Sequence, residues 1–268
     1  MSFAGRFVSL AGGEGGYHAP GPESFDLPPV FTLGGVEVTK PMLLLLLAGL
    51  LVFGFFYYAS RSRAMVPGKV QFAGEQLYSS VRNGLARDLI GSKDFMPFVP
   101  YIVTLFFFIL VSNWFGSVPF IQFPTFSRVS MAYALAGLSW VVYNAVGIRR
   151  HGFVGYLKLQ TVPGGVHGPI LALLIPLEFM SNLIVRPVTL SLRLFANMFA
   201  GHILLLLFAT GGEYLLMEAS TLLKPVGILA WILAIAVAFL EILVQFLQAY
   251  VFALLSAIYI SGALAEEH

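Results

Sequence analysis

Charged residues punctuate this chain so sparsely that the lengths of the apolar runs between them set the fold. A helix crossing a hydrocarbon core of ~30 Å needs about 20 apolar residues, because each residue rises only 1.5 Å. Residues 42–59 carry no charge and follow Thr39, Lys40 and Pro41, which read as an N-cap and a proline-bearing first turn. Residues 95–127 are also charge-free, which predicts a crossing over 95–118 followed by a turn around Pro119 and Pro124. Residues 129–148 form a further uncharged span. Two longer segments close the chain: 169–210, interrupted by Glu178, Arg186, Arg193 and His202, and 222–264, with Lys224 near its start and Glu241 within it.

Residues 68–92 follow a different rule. Lys69, Glu75, Arg82, Arg87 and Asp88 alternate with Val70, Phe72, Leu77, Val81, Leu85 and Leu89 at roughly helical spacing, predicting an amphipathic helix on the membrane surface. The first 40 residues hold glycine, proline and acids without the apolar core of a secretory signal. The expected architecture is therefore an all-α membrane protein, one polytopic domain over 1–268. It has five transmembrane helices, one surface helix, and a long tilted hairpin formed by its last two helices.

Composition agrees with the pattern. Hydrophobic residues reach 58% and charged residues only 10%, against ~45–50% and ~25% in soluble domains, too few charges to cover a water-facing surface. A net charge of +2 gives no argument for nucleic acid, and the absence of cysteine excludes disulfides and thiolate chemistry. The distribution of positive charge matters more than its total. Six Lys and Arg lie in residues 60–94 and three more at Arg149, Arg150 and Lys158, whereas the opposite segments hold Arg6, Lys40, Arg128 and Lys224. The positive-inside rule then places 60–94, 149–168 and the C-terminus in the cytoplasm, with the N-terminus outside.

Against that apolar background the polar residues of the last two helices stand out. A charge at the bilayer centre costs ~2.5–3.5 kcal/mol on insertion scales, so such residues usually serve a function. One helix carries Arg186, Arg193, Asn197 and His202; the other carries Glu241, Gln245 and Gln248. Antiparallel register matches Arg193 with Gln248, Asn197 with Gln245, and His202 with Glu241. Helical periodicity puts Glu241, Gln245 and Gln248 on one stripe, and His202 about 180° from Arg193. A guanidinium does not deprotonate in proteins, so Arg193 is a fixed charge that favours the ionised form of any carboxylate nearby. No acid of this chain lies at its level, which invites one from another subunit. His202 and Glu241, by contrast, can exchange protons. Glu178 and Asn113 are further candidates for a polar path; His18, His151 and His167 have no metal-binding spacing. The glycine-rich stretch at 12–16 lacks the lysine and flanking elements of a phosphate loop.

The run from Arg186 to His202, RPVTLSLRLFANMFAGH, resembles the signature of subunit a of F-type ATP synthases. Glu241 with the following QFLQA at 245–249, Asn113, and the His18-Ala19-Pro20 start are similar to the same family. The resemblance implies a stator whose last two helices face a ring of c subunits, with Arg193 as the essential arginine and Gln248 and Asn197 as its neighbours. It implies that His202 and Glu241 occupy channel positions where relatives carry a Glu/His pair in either order. It also implies b-type peripheral-stalk and remaining synthase subunits as partners, membrane lipid around the chain, no cofactor, and a bacterial plasma membrane or an energy-transducing organelle membrane. Gly116 stands near a place where some relatives hold an acid. A self-contained proton-coupled transporter is the alternative, though the internal repeat such folds need is not found.

Overall fold

The computed structural model describes residues 17, 19–21, 28–33, 36–61, 66–118, 121, 123–162, 170–218 and 220–265. Five helices are long and apolar enough to cross a membrane: Lys40–Arg61, Met96–Ser117, Val129–Thr161, Leu173–Met217 and Thr221–Leu264. The all-α expectation meets one exception, a two-stranded antiparallel ribbon of β1 (Phe31–Leu33) and β2 (Val36–Val38), with Phe31 opposite Val38.

Helix α1 (Lys40–Arg61) buries Pro41, Leu44, Ala48, Val52 and Ala59, a single stripe at three-, four- and seven-residue spacing. Its other faces expose Leu46, Leu50, Phe53 and Tyr57, a surface suited to lipid and not to water. Thr39 caps it through its carbonyl, which accepts from Met42 and Leu43 N–H, while its buried hydroxyl has no partner among the described residues. Lys40 Nζ donates to Ile121 O at 3.1 Å and lies over the Phe123 ring, fastening the helix start to the turn after the next span.

The amphipathic segment forms helix α2 (Lys69–Val81), continues through a wider-wound π segment (Arg82–Arg87), and ends in a turn at Asp88–Ile90. Gly91 stops it with φ of +96°, a conformation costly for residues bearing a Cβ. Helix α3 (Val99–Ser117) is the hub. Val99, Ile102, Ile109 and Asn113 are fully enclosed, and the helix packs on α1 and on the last helix of the chain.

Helix α4 (Val129–Thr161) runs well past the expected end near 148, but not straight. Gly152 has φ of +73°, and beyond it the chain turns back so that the Tyr156 ring lies on Gly147. A methyl group at Gly147 would overlap that ring. Gly147→Ala is therefore expected to cost the ~1–3 kcal/mol typical of overpacking, seen as a lower unfolding temperature of the detergent-solubilised protein. An unchanged temperature would mean that the ring has room to swing aside.

The last two spans dominate the packing. Helix α5 (Ile170–Met180) leads through a π segment (Ser181–Val185) into α6 (Arg186–Met217), and α7 (Lys224–Leu264) returns alongside. Helix α6 continues to Met217, seven residues beyond the predicted end at 210, so Glu213 belongs to the helix and not to a loop. On α7 most buried residues are small or polar (Ala234, Ala249, Ala253, Ala257 with Glu241, Gln245 and Gln248), with Phe252 and Ile260 as large buried exceptions, while many of its Leu, Ile and Phe side chains, such as Ile235, Phe239, Leu243 and Phe246, point out. That inversion is what a bilayer solvent favours, since small side chains bring helix backbones close and lipid satisfies the large ones.

Candidate proton-transfer site between the last helices

A proline explains how α6 begins. Pro187 has no N–H to offer the carbonyl four residues before it, and its ring crowds that carbonyl. The carbonyl is Leu183 O, and Trp140 Nε1 of α4 donates to it at 2.9 Å. The wider winding at 181–185 spreads the adjoining turn, a device frequent at functional sites. Thr189 further ties its hydroxyl to Val185 O.

From that start, Leu190, Leu194, Met198 and His202 follow at four-residue intervals on the core face of α6. Arg193 stands on the other side and is exposed, as are Thr189, Ala196 and Ala200 along the same flank. Among the described residues no acid or amide side chain bonds the Arg193 guanidinium. His202 is 4% exposed and sits about 13 Å farther along the axis, nine residues at 1.5 Å each.

The predicted register needs one correction. Asn197 Nδ2 donates to Gln248 Oε1 at 2.8 Å, so Asn197 pairs with Gln248 and not with Gln245. No hydrogen bond joins Arg193 to Gln248 among the described residues. His202 and Glu241 do meet: Nδ1 lies 3.6 Å from Glu241 Oε1, within ion-pair range and long for a hydrogen bond. Gln245 turns toward α3. Its Nε2 donates to Glu241 Oε1 at 3.3 Å, its Oε1 accepts from Ser117 Oγ at 3.0 Å, and its backbone carbonyl accepts from Asn113 Nδ2 at 3.2 Å. The space beside Gly116 is filled by the same amide, which lies 3.6 Å from where a Cβ would stand. Glu241 is only 6% exposed, and His202, Gln245 and Asn113 beside it are also buried, with Ser117 part-buried at the edge of the cluster.

A second polar group lies on the other side of Arg193. Asn182 Nδ2 donates to Glu178 Oε2 at 3.1 Å and to Gln160 O at 2.6 Å, and Gln160 Nε2 reaches the Tyr156 hydroxyl at 3.1 Å. The Arg186 guanidinium rests over the Tyr259 ring, which in turn packs on Tyr143. Glu178 therefore belongs to this group and is some 20 Å from Arg193 along the helix axis. Near the far end of α6, the Tyr17 hydroxyl contacts Leu207 O at 3.3 Å and Thr210 Oγ1 at 3.2 Å.

Ser117, Asn182, Gln160 and Tyr17 escaped the sequence reading. Ser117 and Asn182 each follow a recognised candidate by four residues, Asn113 and Glu178, and that spacing was the available signal. Gln160 sits in a segment read as loop, and Tyr17 has no sequence signal. His18, His167 and the glycines at 12–16 lie outside the described residues. Among the described residues no group of three or more His, Cys, Asp or Glu is arranged to hold a metal.

The model of the family described as ATP synthase A chain matches residues 42–261. Similar proteins include the ATP synthase subunit a of Nocardioides sp., 64% identical over 281 aligned positions that span 100% of both chains. The ATP synthase subunit a of Pseudarthrobacter chlorophenolicus is 50% identical over 95% of this chain and 96% of its own. That of Streptomyces lividans is 40% identical over 94% of this chain and 90% of its own.

Proposed function

The chain belongs to the ATP synthase A chain family, and on that premise we propose that Arg193 and the two polar groups flanking it couple proton flow to the turning of a c-subunit ring. The chain is a multi-pass membrane subunit of an ATP synthase and works with the other subunits of that complex. It makes no ATP itself; it is the stator of the membrane sector.

The observation that carries this reading is the isolation of Arg193. A permanent cation in a membrane-spanning helix is expensive, yet here no acid of the chain among the described residues neutralises it, and it lies on an exposed flank of small residues. A carboxylate on a neighbouring rotor helix supplies the missing partner. Protons reach that carboxylate from outside through the group containing His202, Glu241, Gln245 and Asn113. Asn197 and Gln248 lie next to Arg193 on its outward side, and protons leave toward the cytoplasm past the group containing Glu178, Asn182 and Gln160. Arg193 stands between the two paths, preventing a direct leak and driving each arriving acid to give up its proton. The N-terminal segment 1–40 faces outward and the C-terminus inward, in a bacterial plasma membrane, with b-type stalk subunits holding the chain still. Proton is the transported ion, since His202 and Glu241 on the outer path are side chains able to carry one.

Cross-linking tests the orientation directly, because the chain has no cysteine of its own. Cysteines at Ala196 and Ala200 are expected to form disulfides with cysteines on the c-subunit helices in assembled membranes. Cysteines at the buried Leu190 and Met198 are expected not to. Cross-links from the buried pair alone would place the ring on another face.

A further inference from the structure

Helices α1 and α2 touch most closely at Gly74, where a Cβ would stand 2.6 Å from the Ala59 methyl. Beside that crossing, α1, α2 and α3 enclose a cavity of about 780 Å³, a volume within the ~300–1,000 Å³ of sites that bury most of a small ligand. Its walls change character along α1. Toward the middle of the span they are Gly49, Val52 and Phe56, faced by Val103 and Phe108 of α3; at the other end they are Ser60, Gln71 and Glu75. Residues 49 to 60 cover about 16 Å of helix, and half of a ~30 Å hydrocarbon core is about 15 Å. The cavity is thus one leaflet deep, apolar inside and polar at the level of α2, the same gradient as a lipid molecule. Gly49 makes the deep end: a Cβ there would stand 3.9 Å from the Phe108 ring, so a larger side chain would fill the space.

The polar end carries one sign of charge. Glu75 is the charged residue of the lining, and Gln71, only 9% exposed, fixes its carboxylate by donating Nε2 to Oε1 at 2.8 Å. Among the described residues no Lys or Arg forms an ion pair with Glu75. On the exposed side the Phe53 and Tyr57 rings stack 6.0 Å apart, and Tyr78 of α2 joins the same wall. A carboxylate beside aromatic faces attracts an ammonium twice over, by its charge and by the ring quadrupoles. It repels a headgroup of net negative charge.

We infer that this cavity is a lipid site, which takes one acyl chain of an aminophospholipid between α1 and α3 and its ammonium at Glu75. None of its residues belongs to the proton path proposed above, so the two stand or fall separately. The test uses the whole purified complex and phosphatidylethanolamine carrying a photoreactive diazirine at the end of one chain. Phosphatidylglycerol with the same chain is the control, and labelled peptides are mapped by mass spectrometry. The ethanolamine lipid is expected to label 49–56 and 103–108 in preference to the glycerol lipid. Glu75→Gln is expected to lower its labelling roughly three- to fivefold, the size of an ion pair at an exposed edge. Glu75→Lys is expected to reverse the preference. Gly49→Leu fills the deep end, leaves the headgroup end untouched, and is expected to remove labelling by both lipids. Equal labelling by the two lipids in the parental complex, or a preference unmoved by Glu75→Lys, overturns the assignment. Labelling by neither lipid gives the cavity to a helix of a neighbouring subunit and overturns it as well.

Discussion

Arg193→Lys is expected to abolish ATP-driven proton pumping in inverted membrane vesicles while leaving assembly of the complex intact. Charge is conserved, so the cost of placing a cation at that depth hardly changes, and insertion should proceed. What changes is the kind of cation. A guanidinium stays charged in any protein environment and presents a planar fork of donors to a passing carboxylate; an ammonium is a compact point charge that gives up its proton when desolvated. The proposed coupling requires a charge that never switches off. A unit charge 4 Å from a carboxylate is worth about 4 kcal/mol at the effective dielectric of a protein surface, enough to shift that acid's protonation by nearly three orders of magnitude. A lysine that deprotonates on the approach of each rotor acid supplies none of it. Arg193→Ala goes one step further: with no barrier between the two polar groups, passive proton leak is expected to rise even as pumping fails. The measurement is fluorescence quenching of a pH-sensitive dye, with subunit content checked by immunoblot. Wild-type pumping in the lysine variant would show that Arg193 serves only to anchor the helix.

Much of this could be read before any coordinates. The five spans were legible because the bilayer leaves a chain so few choices: backbone groups must be satisfied within each segment, so an uncharged run of twenty residues becomes a helix. The opposition of Arg193 and His202 on α6 follows from nine residues at 100° each and needs no tertiary information. What was not legible falls into two kinds. The first is local chemistry that competes with periodicity. The ribbon at 31–38 shows alternation around Gly34 and Gly35, a hairpin signal outweighed by the low complexity of its surroundings. The extension of α4 past Arg149 and Arg150 was hidden because positive charges read as a loop, although arginine is a good helix former. The second kind is register. Matching residues by number assumes two straight helices side by side. Helix α7 must also pack on α3, and that contact takes Gln245 away from Asn197 and gives it to Ser117 and Asn113. Gln248 inherits Asn197. One helix cannot present the same stripe to two neighbours, and no pattern in either sequence segment says which neighbour wins.

Glu241→Gln is expected to cut passive proton flux at least tenfold without loss of assembly, and exchanging the two partners should restore much of it. Glutamine has the size of glutamate and keeps a carbonyl oxygen facing Gln245 Nε2, so the packing around Gly201 and Gln245 survives. What disappears is a group that can take a proton from His202 and pass it on. His202→Glu fails for a different reason. It sets two carboxyl groups within about 4 Å in a dry site, where both cannot ionise at once, so the pair traps a proton instead of relaying it. Glu241→His is expected to fail in mirror image, because two imidazoles at that distance disfavour each other's charged forms. The double variant, with Glu at 202 and His at 241, again joins one acid to one base across the same gap of 3.6 Å. Flux in the double variant is therefore expected to exceed that of either single exchange by several-fold, a coupling that independent sites would not show. If the two single losses simply add, then His202 and Glu241 act separately, and proton transfer between them is not the step that limits flow.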